Sequence, residues 1–389
     1  MKRDTQIIEA GRRSDWTHGI VNPPVFRAST CLFETMDDLR AGIKNPDAKL
    51  FYGRRGTPTH WALRDAITQL EGGVDSWLYP SGMAAIAGSI LAVVASGDHI
   101  LVTDSVYEPT RALCDHMLKR FGIETTYYDP CIGAGFAELF KKNTKLVVTE
   151  SPGSLTLEIQ DLPAICAIAH DHDALVLLDN TWATPLNMKA LELGIDISVH
   201  AATKYIVGHS DVMLGIATAN ARAWPKLQQG AVQLGQTTSP DDAWLALRGL
   251  RTLPIRLKQH EKSALQIAHW LQKHPMVDRV LHPALPEMPG HDLFRRDFTG
   301  SCGLFSFILK QGSYQQIDHF VDDMRLFKLG FSWGGFESLI LPTDPARVRS
   351  ATRWQAMGPL VRLHIGLEDP DDLIDDLAAG FERFEKAIA

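Results

Sequence analysis

Residues 174–204 read ALVLLDNTWATPLNMKALELGIDISVHAATK, and this stretch decides the fold. The first apolar run, Ala174 to Asp179, carries no polar residue before its final acid, which is the pattern of a strand covered on both faces. The second, Ile195 to His200, is shorter and ends in Ala201, Ala202 and Thr203, just before Lys204. In an open parallel sheet, ligands gather beyond the carboxyl ends of the strands, so Asp179 and Lys204 are expected to face one crevice. A lysine placed there can form a Schiff base with an aldehyde cofactor while the acid keeps a pyridine nitrogen protonated. Taken alone, the pair is more often an ordinary strand-end acid and a surface lysine.

The segments on either side repeat the same unit. Upstream, ILVT (Ile100 to Thr103) and KLVVTE (Lys145 to Glu150) read as short buried strands, each followed by a turn and a helix. Strand–helix alternation of this kind predicts an α/β fold with a large, mainly parallel sheet and helices on both faces. Polar residues follow successive strands: Tyr107, then Glu150 and Ser154, then Asp179, then Lys204. Chemistry-bearing groups at several consecutive strand ends are what a cofactor crevice requires. WLYPSGMAAIAGSILAVVASGD reads as a strand, a tight turn and a helix of small residues opening at Ser81-Gly82-Met83. The free N–H groups and positive dipole end of such a helix suit an anion.

Residues 1–56 show little periodicity and are punctuated by Pro23, Pro24 and Pro46, which predicts an extended arm reaching over a neighbouring subunit. The arm ends in LFYGRRGTPTH, where Tyr52, Arg54 and Arg55 form either a solvated turn or a set suited to a phosphate dianion. Beyond Lys204, a long helical pattern starts near Asp241, and a boundary is placed near Leu250, within or beside that helix. The expected division is an arm over 1–56, the sheet domain over 57–250 and a smaller α+β domain over 251–389. In LVRLHIG, period two puts Arg362 on the face of Leu360 and His364. An arginine in an apolar strand needs an anion, either a substrate carboxylate or a structural acid.

Composition narrows the rest. A chain of 389 residues with 45% apolar and 22% charged residues can bury a large core. A net charge of −7 and the absence of any basic run argue against nucleic acid as a partner. Five scattered cysteines without a CxxC fit a reducing compartment and no metal site. MKRDTQIIEAGRRSD lacks the apolar core of a signal peptide, and no run is long enough to span a membrane, so a cytoplasmic protein is expected. IGAGFAEL has Glu138 where a dinucleotide fingerprint needs its third glycine. His170-Asp171-His172 reads as a helix cap.

Ten motifs in order, LFYGRRG, PSGMAA, YEPT, ESPGS, DNTWATP, AATKYIVGHSD, LRGLRTL, HPALP, SWGGFESL and RLHIGLED, span nearly the whole chain. Together they resemble the Cys/Met-metabolism family of fold-type-I pyridoxal-phosphate enzymes. The resemblance implies that Lys204 carries the cofactor, Asp179 pairs with its pyridine nitrogen and Tyr107 stacks on its ring. It implies that Gly82 and Met83 bind the phosphate, with Thr203 nearby, and that Tyr52 and Arg54 reach it from the adjacent subunit of a homotetramer made of two active dimers. Arg362 is implied to clamp the substrate α-carboxylate, with Ser332 and Trp333 lining that end of the site.

Two positions depart from the wider pattern: Ala201 stands where relatives often carry Ser, and Ser154 where they often carry Asn. Phe331 stands where family members that handle γ-substituted substrates commonly carry Glu. The resemblance therefore implies β-elimination of a carbon–sulfur bond, from L-cystathionine and other cysteine S-conjugates such as cystine. Freed Lys204 would take the α-proton, and either Lys204 or Tyr107 would protonate the sulfur. A γ-lyase or γ-replacement synthase of the same family is the alternative, and a cofactor-binding regulator without catalysis a remote one.

Overall fold

A computed structural model describes residues 1–47 and 49–388. Its larger sheet is built from β1 (Asp75–Tyr79), β2 (His99–Thr103), β3 (Glu124–Tyr128), β4 (Thr144–Glu150), β5 (Leu175–Asp179), β6 (Ile197–Ala201) and β7 (Gly215–Ala219). Their spatial order is β1-β7-β6-β5-β4-β2-β3. The strands from β6 to β3 run parallel, and β7 lies antiparallel to both of its neighbours. The smaller sheet holds β8 (Val277–Leu281), β9 (Leu304–Leu309), β10 (Lys328–Leu329), β11 (Leu339–Thr343) and β12 (Leu360–His364), in the order β10-β11-β12-β9-β8.

The two-residue period of a strand explains why the central strands are apolar throughout. Val176 and Leu178 enter one hydrophobic cluster while Leu175 and Leu177 enter another on the opposite face. Alternation then carries Asp179 to the face of Leu175 and Leu177. Ala85, Ile86 and Ile90 of the helix Gly82–Val93 pack on that same face. The helix N-terminus is thereby brought over the ends of the strands. Burying each of these leucines contributes about 1.5–3 kcal/mol, so a one-residue slip of β5 would forfeit both cores at once.

One expectation needs correction. The segment 1–56 is not extended throughout, because Arg3–Glu9, Ser14–Thr17 and Met36–Lys44 are helical. The first of these docks on its own chain: Ile7 is fully buried, and Arg251 donates to the Ile7 carbonyl. Its single buried side chain is too little for periodicity to register in the sequence. The position near Leu250, placed within or beside a helix, lies inside one continuous helix, Pro240–Lys273. Ser239 caps that helix through Asp241 N–H, and Asp241 and Asp242 complement its dipole.

Candidate active site

Glu150, Asp179 and Ala201 end three adjacent strands, with Glu150 in register with Asp179. One carboxylate oxygen of Asp179, Oδ1, accepts from the Thr181 N–H at 3.0 Å and from the Thr181 hydroxyl. The same hydroxyl accepts from the Ala201 N–H at 2.9 Å, tying β5 to the lysine-bearing strand. Burial raises the Asp179 carboxyl above its ordinary range, and the Thr181 bonds oppose that rise. Glu150 is pushed well above its usual range, by burial first and by Asp179 second, and it accepts from the Tyr107 N–H at 2.7 Å. Two adjacent acids in a dry place call for a cation. Asp179 Oδ2 accepts from no group among the described residues, so a protonated pyridine nitrogen would find an open acceptor there.

The anion end is equally prepared. Ser81, the N-cap of Gly82–Val93, accepts from Ala84 N–H at 3.1 Å. The N–H groups of Gly82 and Met83, the first two helical residues, have no partner within the helix and remain for a phosphate. Gly82 is needed for space: a Cβ there would sit 2.4 Å from the Ala201 Cβ. The small residue at 201 thus lets the helix end stand directly on β6. Thr203 is put to another use than the one expected. Its hydroxyl donates to the Leu214 carbonyl at 3.3 Å and accepts from Leu214 N–H at 2.9 Å. That donor is spent on the turn and is not offered to a phosphate. Tyr52 is 43% exposed, and Arg54 donates to the Val232 carbonyl at 2.8 Å. Within one chain neither is brought to the Asp179–Lys204 cluster. Arg55 forms a two-bond pair with Asp47.

Lys204 follows β6, and its Nζ donates to the Ser332 hydroxyl at 2.6 Å and lies 5.6 Å from the Trp333 ring centroid. Burial and then the Arg362 charge lower its amine to about 8, while Asp179 opposes them. Arg362, on β12, donates to the Ser332 carbonyl at 3.2 Å, and it pairs with no carboxylate among the described residues. Burial draws it down to about 10. No structural acid among the described residues answers this arginine. Tyr107 is 44% exposed, and burial, Asp179 and Glu150 raise its phenol while Arg362 lowers it. Its hydroxyl donates to no group among the described residues.

The loop after β10 closes the cluster. Ser332 adopts a φ of +79°, and Gly334, at +87°, passes so near that a Cβ would fall 2.9 Å from Lys204 Cα. Trp333 packs against Tyr205 with ring centroids 5.5 Å apart. Phe331 is 86% exposed. The open acceptor on Asp179, the bare helix N-terminus and the cool lysine fit a phosphorylated pyridine aldehyde. Lys204 would anchor it, Asp179 would meet its ring nitrogen, and Gly82 and Met83 would hold its phosphate.

Residues 4–382 match the model of the family described as Cys/Met metabolism PLP-dependent enzyme. The chain belongs to that family. It is a pyridoxal-phosphate-dependent enzyme with the fold-type-I architecture. Cystathionine beta-lyase MetC of Escherichia coli is 48% identical over 389 residues, covering 98% of each chain. Cystathionine gamma-lyase of Bacillus subtilis is 34% identical, over 98% of this chain and 100% of that one. The solved structure of cystathionine gamma synthase from Xanthomonas oryzae superposes with a TM-score of 0.90 at 35% identity, covering 100% of this chain and 99% of that chain.

Sequence reading missed Thr181 as the residue that aims Asp179, although its place two residues on, in DNT, is that of an Asx-type turn. It also missed the long-range partners of the loop, which no local pattern announces. His170 and His172, read as a cap, bond Asp196 and stack on Phe140 respectively.

Proposed function

We propose that this chain is a carbon–sulfur β-lyase that splits L-cystathionine into homocysteine, pyruvate and ammonia, and acts also on cystine and other cysteine S-conjugates. The observation that carries this reading is the Lys204–Ser332–Arg362 cluster, in a loop with no acid where γ-acting relatives commonly hold one. The relative with 48% identity bears the β-lyase name, and those at 34–35% bear γ names.

Pyridoxal phosphate, when bound, supplies an electron sink for the carbanion at Cα. The chain's own residues do the rest. Arg362 binds the substrate α-carboxylate, which sets the Cα–H bond facing Lys204. The Lys204 amine, lowered to about 8, is largely neutral in mildly alkaline solution and takes the α-proton. Ser332 orients that amine through its hydroxyl. The Cβ–S bond breaks, and its electron pair leaves with sulfur. Lys204 or Tyr107 returns a proton to it, giving the homocysteine thiol. Water then hydrolyses the three-carbon fragment to pyruvate and ammonia.

The proposal includes the assembly. Tyr52 and Arg54 serve the phosphate of the adjacent subunit, in a cytoplasmic homotetramer built from two active dimers. Within its own chain Arg54 is engaged by the Val232 carbonyl and Tyr52 is exposed, which supports that reading. Product analysis on cystathionine tests the reaction. Homocysteine with pyruvate is expected, and cysteine with 2-oxobutyrate would replace β-cleavage by the γ-lyase reading.

A further inference from the structure

The loop carrying Ser332 and Trp333 is gripped from below by a side chain with no part in the chemistry above. We propose that His364 is a positioning residue that sets the 331–335 loop, and with it Ser332, Trp333 and the Arg362 guanidinium, against Lys204. His364 lies two residues past Arg362 on β12, so both side chains rise from one face of the strand. Arg362 takes the loop at the Ser332 carbonyl. His364 takes it two residues on, where Gly334 N–H donates to Nε2 at 3.1 Å and the Gly335 carbonyl lies 3.1 Å from the same nitrogen.

Nε2 lies between a donor and an acceptor: with the ring hydrogen on Nδ1 it accepts from Gly334 N–H, and with the hydrogen on Nε2 it donates to the Gly335 carbonyl, so either neutral tautomer holds the loop. Nδ1 is 3.4 Å from the hydroxyl of Tyr205, which accepts from Gly303 N–H at 2.9 Å. Tyr205 is the residue after Lys204. The imidazole therefore bridges the lysine's own chain segment and the loop laid upon it. It is fully buried, and burial together with neighbouring His260 lowers it to about 3, so it stays neutral.

The loop needs such a hold. Ser332 occupies left-handed backbone that a non-glycine residue seldom adopts, and Gly334 passes with no room for a Cβ beside Lys204. Buried His260 offers the contrast. It bonds the Ile365 carbonyl at 2.8 Å and makes no hydrogen bond to the loop.

The test is hydrogen–deuterium exchange across 328–337 in the holoenzyme, with kcat and KM on cystathionine per bound cofactor. His364→Asn keeps a polar amide but falls short of Gly334, whereas His364→Gln reaches it. We expect His364→Asn to speed exchange at Gly334 and lower kcat/KM, each by about 10-fold, the worth of one hydrogen bond. Cofactor absorbance should be unaltered, and His364→Gln should recover most of both effects. His260→Gln should leave the loop's exchange as it is. Wild-type exchange and kcat/KM in His364→Asn, or the same losses in His260→Gln, would overturn the proposal. So would a Gly334 amide that exchanges at the free-peptide rate in the unsubstituted enzyme, a measurement needing no variant. The kinetic arm rests on the β-lyase reading and the exchange arm does not. If the enzyme releases no pyruvate while His364→Asn still frees the loop, the reaction assignment fails and the positioning role stands.

Discussion

Asp104 and Asp179 stand at the same edge of the same sheet, just past β2 and at the end of β5, and their environments drive them in opposite directions. Asp104 is buried and saturated. It accepts from the N–H groups of Ser350, Ala351 and Thr352, from the Thr352 hydroxyl and from Arg111. Burial acts to raise it, but these bonds together hold its carboxyl below the ordinary range. Asp179 is half-buried with a single residue, Thr181, donating to it among the described residues, and its carboxyl lies above that range. The lesson is general for buried acids: donors supplied by the protein make a clasp, and donors withheld leave a place for a ligand.

The largest effect that could break this contrast is on turnover. Asp179→Asn should lower kcat by about 10²–10³-fold, as loss of a charge aimed at the reacting system does, and should weaken cofactor retention. In cofactor-free protein the same change should leave the melting temperature level or raise it, because it removes a half-buried acid whose Thr181 donors do not offset its raised carboxyl. A fall in that temperature would make Asp179 a structural residue after all. Asp104→Asn should do the reverse. It leaves Arg111 buried without its partner and costs about 3–5 kcal/mol of stability, while activity per bound cofactor changes little.

The pH dependence follows with opposite signs. The folded value of Asp104 lies below its unfolded one, so its contribution is complete at neutral pH and is lost as pH falls through the folded value. Acid melts should therefore be steeper in the wild type than in Asp104→Asn. Asp179 and Glu150, raised by burial, cost the cofactor-free protein stability as pH climbs above the ordinary carboxyl range. Lys204 adds a window of its own. Its amine is neutral above about 8, so pyridoxal-phosphate uptake by the cofactor-free protein should accelerate through that pH and then level off. A flat profile from pH 6 to 10 would contradict the lowered amine. The smallest effect is at Phe331, whose ring is open to solvent. Phe331→Leu should alter stability by no more than about 0.5 kcal/mol and leave the product of cystathionine cleavage unchanged.

Asp179 and Lys204 were legible in the sequence because each ends or follows an apolar run, and the strand period fixes what sits at the edge. Gly82 and Met83 were legible from a turn before a helix. Asp104 was not legible. Its donors at 350–352 lie some 250 residues away along the chain, and no local pattern marks an acid that will be saturated by distant backbone. His364 escaped for the same reason, since Gly334 and Tyr205 reach it only through the fold. The helix at Arg3–Glu9 was hidden by its shortness. Arg362 was half legible: the strand pattern showed that it needed an anion, and only the absence of an acid beside it in the fold pointed outward.

The helix Pro240–Lys273 has 34 residues and so a length of about 51 Å. It buries Leu247 and Leu250 toward one end and Ala264, Ile267 and Leu271 toward the other, all within a single cluster that also takes in Val147 and Val176 of the large sheet and Phe305 and Leu363 of the small one. Trp182 adds a bond from its indole to the Leu304 carbonyl across the same divide. A keel shared in this way gives the small sheet no core apart from the large one, while the large sheet keeps a second core on its other face. The small sheet is therefore expected to melt with the large one, in a single calorimetric transition that takes the crevice between them with it.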